Sequence, residues 1–270
     1  MPGLHLTILV IFLSGHLWSQ SGPSMFSGTG YLSNGEIGIL LHDADAAIVL
    51  PALLPSFEKG GWSAGASIRS GIEGLSEISA AANVSLPWKN QIGLGVQHTG
   101  IEGYSEQRIT FSYARRLFQK LNAAIQFDLN RNAAEEYDDI YVPSFAISFV
   151  APLMDELSMS AWLYNPIGDI TVLDLSTMAR FGILYAPGEK VRIALEAEKH
   201  WKHDLTVKAG ITYQLHRDIN IRWGVGTSPS LIHAGISWAI VRRMAVNGGW
   251  RYHPVLGSSL SAGISQLQAN

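Results

Sequence analysis

The sequence predicts an all-β protein, a single antiparallel transmembrane β-barrel of about fourteen strands. Three observations predict it. From Gly60 onward apolar and polar side chains alternate, as they do when successive residues of a strand face opposite sides of a sheet. The alternation recurs in segments of roughly 8–12 residues, close to the roughly 9–11 that a tilted strand needs to cross a bilayer. Charged residues make up only 15% of the 270 residues, against roughly 25% in an average soluble domain, and within the segments nearly all of them keep to one parity.

The chain opens on Leu4 to Trp18, apolar apart from His5, Thr7, Ser14 and His16. Such a run has the length of a signal-peptide core and is too short to span a bilayer comfortably. Residues 1–20 are therefore expected to be a signal peptide cut near Ser19 to Ser21, although no Lys or Arg precedes the run. No other stretch reaches the roughly 18 apolar residues of a transmembrane helix. A membrane location then demands a closed barrel, in which neighbouring strands satisfy every backbone hydrogen bond.

Residues 21–58 break the alternation. Gly28, Gly30, Gly35 and Gly38 come first, then the apolar run Ala46 to Leu54, interrupted by Pro51. A barrel of about fourteen strands is wider than its own wall side chains fill. This segment is thus expected either as an internal plug or hatch, marked by Asp43, Asp45 and Pro51, or as a periplasmic lead-in with one extra strand.

The barrel proper is expected over 59–270, with strands at 61–70, 75–86, 90–100, 106–114, 121–130, 141–151, 157–164, 176–186, 190–199, 204–215, 218–226, 231–240, 243–253 and 256–265. Ile92, Leu94 and Val96 fall on one face, Gln91, Gly93, Gly95 and Gln97 on the other. Glu77, Arg108, Asp128, Arg180, Arg192, Glu196, Glu198, Lys208, Arg222, Arg243 and Arg251 share the polar parity; Ile78, Val84, Phe111, Phe149, Phe181, Ile193, Val207, Ile236 and Trp238 share the other. A soluble sandwich would alternate too, with its apolar face inward. The membrane is favoured because the polar parity is rich in Gly, Ser, Thr and Ala, which suits a lumen. Aromatics also gather near segment ends (Trp62, Trp88, Tyr104, Tyr141, Tyr164, Tyr185, Trp201, Tyr252), as in interfacial girdles. Connections such as Pro87 to Lys89 and Pro187 to Glu189 are short, while Arg131 to Ile140 and Asn165 to Leu175 are longer. Short periplasmic turns, longer outside loops and an even strand count put both termini in the periplasm of a Gram-negative cell.

The chemistry-bearing residues point away from an enzyme. The chain has no cysteine, which excludes disulfides and thiolate metal sites. Its nine histidines are scattered, without HExxH spacing. His200 and His203 share a loop but lack a carboxylate cluster to complete a metal site. His233 and Ser237 share a strand parity, directed to the lumen rather than to the outer wall, where a barrel acyl-hydrolase would need them. Neither a cofactor nor a metal is expected, and a net charge of −3 gives no reason to expect nucleic acid as a partner. The lumenal charges Arg180, Arg192, Glu196, Glu198, Lys208 and Arg222 carry both signs. They are expected either as a paired network that stabilises the wall or as a polar constriction or docking site for the hatch.

Specific stretches resemble a known family. His42-Asp43-Ala44-Asp45-Ala46-Ala47 followed by Leu50-Pro51-Ala52-Leu53 is similar to the small-and-acidic lead into Asn-Pro-Ala-Gly-Leu of PorV/PorQ-type outer-membrane barrels of Bacteroidota, relatives of the FadL long-chain fatty-acid transporters. Leu50 stands where that family has Asn, and no Gly follows Ala52. Leu195 to Lys199, Val207 to Tyr213, Arg222 to Thr227 and Tyr252 to Gly257 resemble its C-terminal strands, so the likeness covers residues 26–265. The resemblance implies a non-enzymatic barrel, and it implies two functions. The first is an accessory or docking protein of type IX protein secretion or surface attachment, with a translocon or exported surface protein as partner beside outer-membrane lipid. The second is a FadL-like channel for hydrophobic small molecules.

Overall fold

The structure, a computed structural model, describes residues 25–118, 120–166, 177–241 and 243–266. The expected signal peptide and most of the connection after Asn165 lie outside the described residues.

The fourteen strands are β1 (Gly61–Arg69), β2 (Ser76–Leu86), β3 (Asn90–Ile101), β4 (Tyr104–Leu117), β5 (Leu121–Ala134), β6 (Ile140–Met154), β7 (Leu157–Tyr164), β8 (Met178–Tyr185), β9 (Val191–His200), β10 (Leu205–His216), β11 (Ile219–Gly226), β12 (Leu231–Val241), β13 (Met244–His253) and β14 (Gly257–Gln266). Each pairs antiparallel with the next, and β1 closes on β14 from Ser63↔Ser265 to Arg69↔Ser259. The result is a closed barrel without a free edge, the condition for a sheet to sit in lipid. All fourteen expected strands are present. β4 and β5 run longer than the alternation suggests, because Tyr104 to Gln107 pair with Arg131 to Ala134 although that stretch is polar or small on both faces, and β6 extends at its far end, where Pro152 and Met154 pair with Ser158 and Leu157. The connection expected from Arg131 to Ile140 therefore shrinks to 135–139. Arg243, expected in a strand, sits exposed in the turn before β13.

The two faces divide as the parities require. Ile78, Leu94, Val96, Phe111, Ile125, Phe127, Leu195, Trp238 and Leu260 project outward, and Glu77, Gln97, Arg108, Thr110, Asp128, Glu196, Lys208, His233 and Ser259 are buried toward the lumen. Tyr164 departs from the expected girdle: on β7 it shares the lumenal parity of Ser160 and Trp162 and is 1% exposed.

Residues 25–57 lie inside the barrel as two short helices, α1 (Thr29–Ser33) and α2 (Ala46–Val49), with 3₁₀ turns at Gly38–Leu40 and Pro51–Ser56. No extra strand forms there. α1 packs on β11 to β14 and β1, α2 on β2 to β4, the first 3₁₀ turn on β8 and β9, and the second on β3 to β6. Pro51 opens the second 3₁₀ turn, where a missing N–H costs no hydrogen bond. The core of the molecule is therefore in the lumen. Ile37, Ile39, Leu40, Leu41, Ala46, Ile48, Leu50 and Leu54 of the inner segment meet Ala81, Ala114, Ala124, Ala146, Val150, Trp162 and Ala194 of the wall. Small wall residues make the room that the inner segment fills.

Candidate functional site

The site is the lumen and the segment that fills it. Between Met25 and Phe57 the only acidic residues are Glu36, Asp43 and Asp45, and there is no Lys or Arg. The wall supplies the cations. Arg251 Nη1 donates to Glu36 Oε1 at 2.7 Å, and Lys208 Nζ donates to the Glu36 carbonyl at 3.2 Å. Burial opposes a charge on Glu36, but Arg251 beside it outweighs that and holds the carboxyl at about 2.

Four of the six lumenal charges singled out in the sequence come together. Lys208 Nζ stands 2.9 Å from Glu198 and 3.9 Å from Glu196, and Arg180 is 3.9 Å from Glu198. The cluster also grips the inner segment: Glu196 Oε2 accepts from Gly38 N at 3.0 Å, and Arg180 donates to the Val49 carbonyl at 3.2 Å and to the Tyr31 hydroxyl at 3.3 Å. Arg192 and Arg222 do not join the ion pairs. Arg192 donates to the carbonyls of Leu40 and Ile39 at 3.4 and 3.5 Å; Arg222 donates to Ser33 Oγ at 3.2 Å and Asn247 Oδ1 at 3.5 Å.

Asp43 and Asp45 are both buried. Asp45 N donates to Asp43 Oδ1 at 3.2 Å, and Ser63 Oγ of β1 donates to Asp45 Oδ1 at 2.6 Å. Burial, reinforced by the neighbouring Asp43 carboxyl, holds Asp45 well above the usual carboxylate range. The Asp45 carboxylate occupies the space beside Gly28, where a Cβ would fall 1.8 Å from Oδ2. A second close approach ties the inner segment to the wall. A Cβ on Gly224 of β11 would lie 2.3 Å from the Gly35 Cα, and Gly35 itself has φ +78°, a region L-residues rarely adopt.

Opposite this charged side, mostly neutral groups hold the apolar stretch, together with Arg116 of β4, whose Nη2 donates to the Pro55 carbonyl at 3.0 Å. Ser148 Oγ accepts from Ala52 N at 3.2 Å, Asn122 Nδ2 donates to Ser56 Oγ at 3.0 Å, and Gln91 Nε2 donates to the Phe57 carbonyl at 3.2 Å. Gln97 Nε2 reaches Ser27 Oγ at 2.8 Å and the Phe26 carbonyl at 3.1 Å.

Toward the rim that carries 135–139 and Asn165, the inner segment leaves a cavity of about 70 Å³, lined by Met25, Phe26, Tyr31, Glu36, Ile48, Val49, Arg108, Trp162, Met178, Arg180, Glu198, Lys208 and Arg251, among others. Trp162 and Tyr164 stack at 5.4 Å, Arg180 lies over the Trp162 ring at 3.7 Å and Arg108 over the Tyr164 ring at 5.9 Å.

Sequence reasoning singled out the Arg180–Glu198–Lys208 cluster but missed Glu36, Tyr31, Trp162 and the Gly35–Gly224 contact. Glu36 had a signal: it is the one charge in the stretch Met25 to Leu41, and a buried charge needs a partner. The pairing of two glycines distant in sequence had none. His233 is buried and donates from Nδ1 to the Leu32 carbonyl at 2.7 Å. His200 faces Glu198 at 3.2 Å and His203 edge-on at 5.7 Å.

No family model matches the chain, and no curated protein matches it. Solved structures do. The chain is similar to the CymD monoaromatic hydrocarbon channel, with TM-score 0.73 and 11% identity over 90% of this chain and 97% of that one. It is similar to the Ralstonia pickettii toluene transporter TbuX, with TM-score 0.70 and 11% identity over 91% and 99%. It is similar to a FadL homologue of Pseudomonas aeruginosa, with TM-score 0.65 and 8% identity over 88% and 96%. At such identities the likeness is one of fold alone.

Proposed function

We propose that the protein is an outer-membrane channel for hydrophobic small molecules, with residues 25–57 as its hatch and both termini in the periplasm. One observation carries the reading: the inner segment fills the lumen of a FadL-like barrel, yet it meets the wall through packing, hydrogen bonds and the Glu36–Arg251 ion pair, contacts that can open and re-form. Neighbours described as hydrocarbon channels and transporters favour this over the secretion accessory that the sequence resemblance put first. The polar, small-residue lumen expected from the sequence counted against a hydrophobic solute. The inner segment changes that, since it brings Phe26, Ile48 and Val49 to the cavity.

Cells that carry the gene should take up toluene faster than a deletion strain. Deletion of residues 25–57 should let small hydrophilic sugars through as well. Equal uptake by the two strains would overturn the channel reading. The secretion reading rests on the stretches Arg222 to Thr227 and Tyr252 to Gly257; a tagged copy that repeatedly recovers no translocon or surface protein from native membranes would remove it.

A further inference from the structure

The turns at the rim where β1 begins and β14 ends are unequal. Two adjacent ones, Pro87–Lys89 after β2 and residues 118–120 after β4, bring Lys89, Arg115 and Lys120 to one corner. Residues 84–92 and 111–123 contain no Asp or Glu. All three cations are exposed, and among the described residues no carboxylate pairs with any of them. Elsewhere on the rim the turn after β6 carries Asp155 and Glu156, and after β10 Arg217 meets Asp218 at 3.3 Å. Arg243 after β12 is exposed too, but its turn holds no aromatic residue. The two cationic turns each do: Trp88 and Phe118 are 85% and 87% exposed. Trp88, Lys89 and Phe118 have φ of +59°, +58° and +55°, a strained region for bulky L-residues. The first turn is pinned in this form, since Asn90 Nδ2 donates to the Pro87 carbonyl at 2.7 Å and the Tyr113 hydroxyl donates to Asn90 Oδ1 at 3.0 Å. Arg115 is the register partner of Asn90 and shares the outward parity of Phe111, while Arg116 turns inward to Pro55. Neighbouring strands lie about 4.8 Å apart, so the ends bearing Lys89 and Arg115 stand side by side. Leu86 and Leu117, both exposed, carry the apolar outer wall to the base of these turns. Strained turns that hold aromatic rings out of the protein gain nothing from water. They suit a membrane interface, where rings sit at headgroup level and basic side chains attract anionic lipid.

We propose that this corner docks an anionic phospholipid, its phosphate at Lys89 and Arg115 with Lys120 beside them, its acyl chains along Leu86 and Leu117, and Trp88 and Phe118 seated among the headgroups. Charge complementarity selects the headgroup, because three cations without a carboxylate favour a lipid with net negative charge over a zwitterionic one. The leucines select a lipid over free phosphate, which has nothing to place on them. Which leaflet supplies the lipid rests on the placement of both termini in the periplasm; the docking itself does not depend on the channel reading.

Native mass spectrometry of the full barrel tests it, with the protein released from micelles that hold equal amounts of phosphatidylglycerol and phosphatidylethanolamine. Phosphatidylglycerol should be retained over phosphatidylethanolamine by about fivefold or more, the factor that one basic side chain near an anionic surface supplies. The double variant Lys89→Gln/Arg115→Gln should bring the two lipids close to parity, and Arg217→Gln, at a cation already paired with Asp218, should leave the preference intact. Trp88→Ala should lower the retention of both lipids. Equal retention by the wild type, an unchanged preference in the double variant, or an equal loss in Arg217→Gln would overturn the proposal. Displacement of the lipid by inorganic phosphate would overturn it as well, by making the corner a simple anion site. Equal retention of the two lipids together with capture of polyglutamate would replace it with a docking face for an acidic protein. If the double variant does not fold, Lys120→Gln takes its place and should roughly halve the preference. Toluene uptake without a lipid preference would sink this inference and leave the channel; a lipid preference without toluene uptake would do the reverse.

Discussion

The two sides of the barrel treat the inner segment differently. From β2 to β6 the strands are 11 to 15 residues long, and their buried lumenal side chains are mostly amides and hydroxyls: Asn83, Gln91, Gln97, Thr110, Asn122, Gln126, Asn130, Ser144, Ser148. From β8 to β13 the strands are 8 to 12 residues long, and the lumen carries Arg180, Arg192, Glu196, Glu198, Lys208, Arg222 and Arg251. The first side receives the apolar stretch Ala46 to Leu54, the second the Gly-rich stretch Thr29 to Leu41. The difference follows from the backbone. Around its first 3₁₀ turn the Gly-rich stretch offers backbone groups to outside partners, and long charged side chains reach them: Glu196 takes Gly38 N, Lys208 the Glu36 carbonyl, and Arg192 the carbonyls of Ile39 and Leu40. The apolar stretch satisfies itself in short helices and needs chiefly small neighbours. The charged side is thus an anchor, and the neutral side a bed.

That contrast can be broken by mutation. The chain has no cysteine, so a single Ala44→Cys, at a fully buried position, reports undocking by the reaction of its thiol with a maleimide. Gly224→Val in that background should have the largest effect. Its side chain would drive into the Gly35 backbone 2.3 Å away, a forced overpacking that costs about 3 kcal/mol or more. It should leave the introduced thiol reactive while the folded barrel still migrates anomalously on an unboiled gel. Gly188→Ala, where a methyl meets nothing within 4 Å, is its silent control. Next comes Arg251→Gln. It strands the Glu36 carboxylate in the lumen and should weaken docking by about 3 kcal/mol, raising the labelling rate at neutral pH.

The pH dependence sharpens the same point. Glu36 sits at about 2, below its ordinary value of 4.5, through Arg251, with His233 and Lys208 adding to it. A lowered carboxyl contributes stability above its unfolded value and loses it as pH falls through the folded one. Docking should therefore weaken between about pH 4.5 and 2, and Glu36→Gln should abolish that slope. Asp45 has the opposite sign: burial raises it, so it opposes docking as pH rises, and Asp45→Asn should tighten docking at neutral pH, read as slower labelling. The smallest effect belongs to the neutral side. Ser148→Ala removes the acceptor of Ala52 N, worth about 1 kcal/mol. If Ser148→Ala exposed the introduced thiol as readily as Arg251→Gln, the distinction between anchor and bed would be wrong.

Alternation made the wall legible in the sequence because each strand turns an exposed apolar face outward and a polar or small face to the lumen. It failed where both faces are polar, at Arg131 to Ala134, and where an aromatic points inward, at Tyr164. The pairing of Glu198 with Lys208 was half legible: parity put both in the lumen, and the register Lys208↔Glu196 brought them within reach. The inner segment was legible only as an interruption. Its contacts join residues distant in sequence, as in Glu36 with Arg251, and local pattern carries no information about such pairs. Arg192 and Arg222 looked like members of a charge network, yet they serve backbone, hydroxyl and amide groups, a role that charge alone does not reveal.

The seam between β1 and β14 has a consequence for biogenesis. Thr29 of α1 packs under Gly65 of β1 and Gly263 of β14, so the first part of the lumen to be synthesised is enclosed by the last strand to emerge. A nascent chain that has not reached β14 has no completed vessel for α1. A chain truncated before Gly257 lacks the strand that closes on β1 and covers Thr29, and should be degraded rather than form a leaky pore.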